Sequence, residues 1–363
     1  MTALWDATEQ PLVSRAVHSW DEFTALREVV VGDATHSRVP PQTDPSAWLN
    51  CYPDLSPAEL ALVQVGDFPR RVVEESNEDL AELVRLLRSL GVTVHQPAAF
   101  DHALEYGGPG WRSQGRSSYC PRDLALVVGS TIIESPSPMR ARYFELFGLR
   151  PLFRQALLDG ATWLAAPRPQ LRDSLFGVGA DDLPTLGEEE PAFEAANVLR
   201  LGRDVFYQVS RSGNELGLRW LESTLRLLGV RVHPIRGLYQ GTHIDSTICF
   251  LRPGLVLLNP DRVRPETVPE ALRGWDLLWC PPMVTGPTAL PYTLSTPWVG
   301  MNLLMVNPEC AIVDTAQRPL IDLLERHGIT VVPHRLRHSR VLGGGFHCVT
   351  LDLVREGGRE AYL

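Results

Sequence analysis

Residues 342–354 read Leu342-Gly343-Gly344-Gly345-Phe346-His347-Cys348 and then Val349-Thr350-Leu351-Asp352-Leu353-Val354. The second half alternates apolar and polar residues, a pattern typical of a half-buried β-strand. The glycines allow the backbone to approach a ligand closely and to adopt positive φ angles without steric cost. We therefore expect the thiol of Cys348 to lie at the start of a strand, facing open space. That placement suits a covalent nucleophile, although a small buried cysteine after a glycine-rich turn is an alternative.

A glycine followed by a short strand also recurs along the rest of the chain. Each of five predicted helices is followed by such a glycine and strand. A glycine is common where a helix C-terminus takes a left-handed residue. The glycines are Gly91, Gly160, Gly229, Gly274 and Gly328, and the helices are predicted over 77–90, 140–159, 214–228, 265–273 and 319–327. Apolar hairpin-like stretches precede them at 26–31, 124–134, 198–209, 247–258 and 303–313. The repeating unit is therefore strand, strand, helix, strand.

This repeat predicts an α/β fold in which five ββαβ units close into a pseudosymmetric propeller. Alternating strands and helices usually favour a doubly wound parallel sheet, but the hairpins and the absence of a GxGxxG motif after the first strand argue against one. Closure requires residues 346–354 to pair near the first unit. We expect a single domain over residues 1–363, interrupted by a lid or surface excursion at 34–69 and a solvated loop at 167–191.

Composition excludes several classes of function. The net charge is −9 and no basic block is present, which argues against nucleic-acid binding. Every one of the 34 basic residues is arginine, so Schiff-base chemistry and a phosphate-loop lysine are excluded. The six cysteines are scattered without a CxxC pair, which disfavours a disulfide framework or a zinc site.

The chain also lacks the sequence signals of export and of membrane insertion. Its first ten residues contain no apolar core of a signal peptide, and no apolar run approaches the roughly 18 residues of a membrane span. We therefore expect a soluble, cytoplasmic protein.

Polar residues recur at the starts of the predicted hairpins, where equivalent strand ends of a ring would converge. They are Asp123, Asp204, His243, Asp245 and, at the end of one hairpin, Asp261-Arg262. Each could separately be a turn residue, a surface charge or a core histidine. Together with Cys348 they favour a site for a planar cation such as guanidinium, since each carboxylate can accept two of its N–H groups.

Such a cluster predicts a separate chemical role for each residue. A thiolate of Cys348 could attack the central guanidinium carbon, because the bound cation and His243 offer a way to activate the thiol. Asp204 would orient His243 and stabilise its imidazolium. Arg262 is suited to a substrate carboxylate.

Longer motifs over residues 19–363 make the chain resemble arginine-dependent amidinotransferases of the guanidino-group-modifying, or pentein, superfamily. These motifs are Trp20-Asp21, 26–32, 121–123, 132–136, 140–145, 193–197, 242–247, 253–257, 301–304 and 343–348. The resemblance implies a five-bladed propeller, with no metal or organic cofactor. It also implies ping-pong transfer of the amidino group of L-arginine to an amine through an amidino-cysteine, with release of L-ornithine.

The resemblance assigns roles to individual residues. Cys348 resembles the nucleophile, His243 the general acid and base, and Asp204 its partner. Asp123 and Asp245 resemble the carboxylates that hold the guanidino nitrogens, and Arg262 and Thr296 resemble the anchors of the arginine carboxylate. A homodimer is possible.

The amine that accepts the amidino group is indicated by a few residues around His243. Family members that use glycine tend to have Met before the catalytic histidine, and Thr242 leaves room for a bulkier amine. The runs 207–217 and 239–247 look more like the inosamine-phosphate branch of streptomycin-type pathways, which predicts an aminocyclitol or another antibiotic-pathway amine. Arg112, Arg116 and Arg140 are candidate contacts for a phosphate on it. The alternatives are a glycine amidinotransferase, an arginine deiminase-type hydrolase and a non-catalytic pentein binding module.

Overall fold

The computed structural model describes residues 17–180 and 182–363, and strands and helices alternate along this part of the chain. The strands are β1 (Leu26–Val31), β2 (Arg38–Val39), β3 (Gly66–Asp67), β4 (Thr93–His95), β5 (Glu105–Gly108), β6 (Trp111–Gln114), β7 (Ala125–Val128), β8 (Thr131–Glu134), β9 (Thr162–Ala165), β10 (Phe176–Val178), β11 (Pro184–Leu186), β12 (Val198–Leu201), β13 (Asp204–Gln208), β14 (Arg231–Ile235), β15 (Ile248–Arg252), β16 (Leu255–Leu258), β17 (Asp276–Trp279), β18 (Leu304–Asn307), β19 (Cys310–Asp314), β20 (Thr330–His334) and β21 (Thr350–Arg355). The α-helices are α1 (Pro57–Leu60), α2 (Arg70–Ser89), α3 (Arg150–Leu158), α4 (Glu215–Leu227), α5 (Arg318–Arg326) and α6 (Ser339–Leu342).

Fifteen of these strands form five three-stranded sheets with one common topology. The sheets are β7-β8-β9, β12-β13-β14, β15-β16-β17, β18-β19-β20 and β21-β1-β4. In each of them the first two strands are antiparallel and the third is parallel to the second. The predicted fivefold α/β repeat of strand units is confirmed.

The first sheet is completed by the last strand of the chain. β1 pairs with β21 from Leu26↔Arg355 to Val31↔Thr350, and with β4 in parallel. The hairpin of the first unit is therefore divided between the two ends of the described chain. This pairing is the predicted closure of the ring, and it carries the turn that contains Cys348 into the first unit.

Apolar side chains fill the layer between a sheet and its helix. Leu80, Leu83 and Leu87 of α2 belong to the same buried cluster as Val29 and Val31 of β1. Helix α4 repeats the arrangement over the sheet of β12 to β14. The apolar residues of α2 recur at the three- and four-residue spacing that places them on one helical face.

The helices agree with the sequence pattern in three units and depart from it in two. Helices α4 and α5 match their predictions, and α2 begins seven residues earlier than expected, at Arg70. The prediction of one helix over 140–159 is wrong, because two 3₁₀ turns precede α3. The predicted helix over 265–273 is two 3₁₀ turns, since Pro269 lacks the N–H that an α-helix would need there.

The glycines predicted to end the five helices show the same difference between units in their φ angles. Gly91, Gly160, Gly229 and Gly328 have φ angles of +82°, +99°, +68° and +75°, as left-handed residues that end helices do. Gly274 is not among the positive-φ glycines of the described residues, consistent with the missing helix before it.

The two predicted interruptions have structure of their own. The 34–69 excursion contains β2, β3, α1 and a 3₁₀ turn at Pro45–Leu49. The segment 167–191 is not simply a solvated loop, because β10 and β11 pair in it as a hairpin. No helix among the described residues is long and apolar enough to cross a membrane.

Buried arginines join the sheets through carboxylates. Asp352 of β21 accepts hydrogen bonds from Arg122, Arg200 and Arg355 at 2.7–2.8 Å. All four side chains are at most 6% exposed. Arginine suits such positions because its planar guanidinium can serve several carboxylates at once.

We predict that Asp352→Asn lowers the free energy of unfolding by about 3–5 kcal/mol, because it leaves three buried guanidinium groups short of one negative charge. Arg27→Gln is the matched control, since the Arg27–Glu356 pair is about half exposed and should contribute under about 1 kcal/mol. Urea unfolding measures both. Equal effects of the two substitutions would contradict a structural role for the buried network.

Candidate active site

A cleft of about 490 Å³ is lined by residues that are far apart in the sequence. Its walls include Asn50 and Asp54 of the 34–69 excursion, Thr242 and His243, and Cys348. The fold therefore brings together the candidate nucleophile, the candidate acid and base, and part of the predicted lid.

The glycine-rich turn places Cys348 through close packing. Gly343 is left-handed, with φ +85°. A Cβ atom on Gly344 would lie 2.4 Å from Sγ of Cys120, and one on Gly345 would lie 2.8 Å from the carbonyl oxygen of Val299. Only the first glycine is thus required by its backbone angle, and the other two are required by their neighbours.

Three groups with different chemistry converge on this turn. The Cys348 sulfur, a ring nitrogen of His243 and a carboxylate oxygen of Asp123 lie within 4.8 Å of one another. Sγ of Cys348 also lies 3.4 Å from Oδ2 of Asp245, and the Cys348 N–H donates to Oδ1 of Asn302 at 2.9 Å. The structure thus brings Cys348, His243, Asp123 and Asp245 together, as the sequence predicted.

Asp123 has one occupied and one free carboxylate oxygen. Oδ2 accepts a hydrogen bond from Arg142 at 2.6 Å, whereas the buried Oδ1 has no hydrogen-bond partner in the described part of the chain. Oδ1 is 3.8 Å from Nδ1 of His243. A buried carboxylate oxygen without a donor is costly, so this atom is well placed to accept an N–H from a bound molecule.

His243 is fixed by both its backbone and its ring. Its φ angle is +57°, which is unfavourable for a residue with a Cβ atom and is found mainly at functional sites. Its N–H donates to Oγ of Ser212, and Nε2 lies 2.7 Å from Oε2 of Glu194. The ring therefore keeps one nitrogen on Glu194 and turns the other toward Asp123.

The electrostatics of the site favour a protonated imidazole beside a neutral thiol. Burial alone would lower the pKa of His243, but Asp123, the Cys348 hydrogen bond and Glu194 outweigh it and raise the pKa well above its usual value. The hydrogen bond that the Cys348 thiol makes to Cys120, burial and the charge of Asp245 raise the pKa of Cys348. Although burial opposes it, the charge of Arg142 and the His243 hydrogen bond lower the pKa of Glu194 to about 2.

The predicted role of Asp204 needs correction. Its carboxylate is fully buried at the start of β13 and accepts hydrogen bonds from Arg231 and His233, not from His243. Glu194 occupies the expected position beside His243, whereas Asp204 pairs with Arg231 of the neighbouring strand β14, whose side chains take up its carboxylate. The motif 193–197 contained this residue, but no spacing rule distinguished it from Asp204.

The two predicted carboxylate anchors do meet. Nη2 of Arg262 donates to Oγ1 of Thr296 at 3.3 Å, and Nη1 donates to Oγ of Ser246 at 2.8 Å. The Arg262 guanidinium carbon lies 3.5 Å from the centre of the Tyr239 ring. Burial and stacking thus hold the guanidinium at one wall of the cleft, where both Arg262 and Thr296 are exposed to a ligand.

The three arginines considered for a phosphate are used elsewhere. Arg116 donates to the carbonyl oxygen of Leu342, Arg112 to those of Gly108 and Trp111, and Arg140 to Leu171 and Asp173. None of them lines the cleft.

Several residues of the site had no role in the sequence analysis. Asn302 binds the Cys348 backbone, Glu194 contacts His243, and Asn50 donates to Oε2 of Glu194 at 3.5 Å. Glu194 and Asn302 lie inside the motifs 193–197 and 301–304, so the sequence did point to these two segments. Asn50 and Asp54 lie in an excursion without any recognisable motif.

The grouping of Asp123, His243 and Cys348 is also compact enough for a metal ion. Metal ligation requires a neutral imidazole and a thiolate. The raised pKa values of His243 and Cys348 favour the opposite protonation states. The geometry is better suited to proton transfer beside a nucleophile.

The chain is similar over nearly its whole length to curated amidinotransferases. It is 46% identical over 352 residues to "Inosamine-phosphate amidinotransferase 1" of Streptomyces griseus, covering 96% of this chain and 98% of the relative. It is 34% identical over 357 residues to "L-arginine:L-lysine amidinotransferase" of Pseudomonas savastanoi pv. phaseolicola, covering 96% of each. No family model matches the chain.

A solved structure is also close to it. The inosamine-phosphate amidinotransferase structure from Streptomyces griseus superposes with a TM-score of 0.89 at 45% identity, covering 95% of this chain and 99% of that one. This likeness supports the predicted fold class.

We predict that Glu194→Gln lowers the pKa of His243, because the imidazolium loses a nearby negative charge and hydrogen-bond acceptor. Asp204→Asn should leave that pKa unchanged. NMR titration of His243 measures the shift directly, and the pH dependence of Cys348 alkylation by iodoacetamide reports it at the thiol. A shift in the Asp204 variant alone would restore Asp204 as the partner.

Proposed function

Because this chain belongs to the amidinotransferase family, we propose that it transfers the amidino group of L-arginine to the amine of a phosphorylated aminocyclitol. The observation that carries this proposal is the approach of the Cys348 sulfur, the His243 ring and the Asp123 carboxylate within 4.8 Å. The names of two relatives, one referring to inosamine phosphate and one to L-arginine, support the choice of acceptor and donor.

The donor is held at both of its ends. The free Oδ1 of Asp123 and the carboxylate of Asp245 accept N–H groups of the guanidinium, which places its carbon beside Sγ of Cys348. Arg262 and Thr296 bind the carboxylate at the other end of the molecule. Fixing both ends supplies the orientation that the reaction needs.

In the first half-reaction, the sulfur of Cys348 forms a bond to the guanidinium carbon. The cation of the substrate, bound next to the thiol, lowers the pKa of Cys348 and favours the thiolate. The imidazolium of His243 gives its proton to the leaving nitrogen as the C–N bond breaks, so that ornithine leaves as an amine. The thiol of Cys348 releases its proton to solvent when arginine binds, because His243 is already protonated. The proton given to ornithine comes from His243, which is left neutral for the second half-reaction.

In the second half-reaction, the acceptor amine attacks the amidino carbon of the modified Cys348. Neutral His243 takes a proton from the amine, and the C–S bond breaks to leave the thiolate of Cys348. The thiolate then takes back a proton from solvent, which restores the starting state. Glu194 keeps His243 oriented in both directions and stabilises its charged form.

The sequence alternatives have less support. The full-length relatives reported above are transferases by name, which disfavours hydrolysis and a non-catalytic role. Thr242 at the wall of the cleft leaves more room for an acceptor than the longer Met expected of glycine-using members. We further infer a single cytoplasmic domain that acts without nucleic acid or cofactor. A homodimer is testable by light scattering.

With arginine and no amine, we expect one ornithine per enzyme and an amidino group on Cys348 in the intact mass. Cys348→Ala should show neither product, with a loss of stability of only about 1 kcal/mol. Repeated release of citrulline would instead indicate a hydrolase. The absence of both adduct and ornithine would contradict an arginine-dependent enzyme.

A panel of amines then identifies the acceptor. We expect ornithine turnover to be fastest with inosamine phosphate and slow with lysine or glycine. Ornithine release measured at equal amine concentrations gives the order. Glycine as the fastest substrate would contradict the proposed acceptor.

A further inference from the structure

A second cleft, with about 830 Å³ of space including open solvent, is lined by Ser210 and Arg211. The next residue, Ser212, contacts the backbone of His243. The lining of this second cleft includes Arg211, Ser210, Asn214, Thr185, Gln240 and Glu188. Five of these six residues offer a hydrogen-bond donor, so the second cleft is suited to a polar, acceptor-rich group.

Arg211 is the unusual residue in this second cleft. It is only 9% exposed, and its Nε and Nη1 atoms are buried without a hydrogen-bond partner in the part of the chain described. Arg142 and Arg200 are also deeply buried, but each of them contacts two or more carboxylates. A buried guanidinium without an anion costs several kcal/mol, so a negatively charged partner is missing from the protein itself.

Glu188, the carboxylate that lines this second cleft, already has hydrogen-bond partners. Both oxygens of Glu188 accept backbone N–H groups, one from Glu215 and one from Leu216 at the start of α4. Glu188 makes no hydrogen bond or ion pair with Arg211 among the described residues. The guanidinium therefore stays available to a ligand.

Arg211 is directly connected to the catalytic wall. Its backbone N–H donates to the carbonyl oxygen of Gln240, and Oγ of the next residue, Ser212, accepts the N–H of His243. Tyr239, which precedes Gln240, lines the cleft and stacks on Arg262. An anion on Arg211 would thus be held next to the loop that positions the acid and base.

We infer that Arg211 forms an oxyanion subsite that binds the phosphate group of the acceptor while its amine faces Cys348. This inference rests on the proposed function and assigns the acceptor end of it to a specific residue. The cleft with Arg262 holds the donor carboxylate, so the two anionic groups of the two substrates have separate arginines.

The two half-reactions allow a direct test. Arg211→Gln should raise the KM for inosamine phosphate about tenfold to a hundredfold, since it removes charged hydrogen bonds to the phosphate. It should leave unchanged the KM for inosamine and the rate at which arginine forms amidino-Cys348. Arg219→Gln, on the exposed face of α4, is the control with the same loss of charge.

A second variant and a second probe test whether the effect of Arg211→Gln comes from a lost phosphate contact. Arg211→Lys keeps the charge and should give an intermediate KM for inosamine phosphate, with circular dichroism verifying that both variants fold. Inorganic phosphate should compete with inosamine phosphate in the wild-type protein and not in Arg211→Gln.

The contradicting outcomes are distinct. Equal rises of KM for inosamine and its phosphate, or no rise for either, would overturn the subsite. Phosphate that changes kcat without competing would make Arg211 a free-phosphate effector site and would also overturn it. If arginine forms no amidino-Cys348, the proposed function itself fails, which is a different result.

Discussion

The buried guanidinium of Arg142 is the interaction on which the site depends. It contacts Asp123, Glu145 and Glu194 at 2.6–2.9 Å, and its side chain is 2% exposed. Two of these carboxylates lie on opposite nitrogens of His243. Without the guanidinium they would repel each other in a medium of low dielectric constant, so the charge of Arg142 permits the two acidic groups that hold the imidazolium.

Closure of the ring by β21 is the second feature that positions the site residues. β21 lies against β1, and Asp352 of this strand is bound by three arginines. Cys348 precedes the same strand by two residues. Cys348 is therefore positioned by a strand that is held both by its pairing with β1 and by these three arginines, which is the rigid support that a reactive group needs.

In the proposed function, the two substrates are bound by groups of opposite charge. Carboxylates lie beside the Cys348 thiol, where the guanidinium of the donor would bind. Arg262 and Arg211 would each bind one anionic group, the donor carboxylate and the acceptor phosphate. The sequence contains no lysine, so every one of these arginine contacts has the planar, multidentate geometry of guanidinium.

The sequence by itself determined the repeat and the closing strand, and it selected the residues Cys348, His243, Asp123, Asp245, Arg262 and Thr296. The structure brings the first four together and pairs the last two. Each of these sequence predictions depends on local pattern or on a motif. Only the tertiary structure decided that Glu194 and not Asp204 contacts His243, that Asn50 and Asp54 reach the cleft, and that Arg211 lacks a partner. The physical reason is that a carboxylate or guanidinium finds its partner through space, across strands whose relative positions local spacing does not encode. The predicted helix over 265–273 failed for the converse reason, since Pro269 removed a local hydrogen bond that the wider repeat had led us to expect.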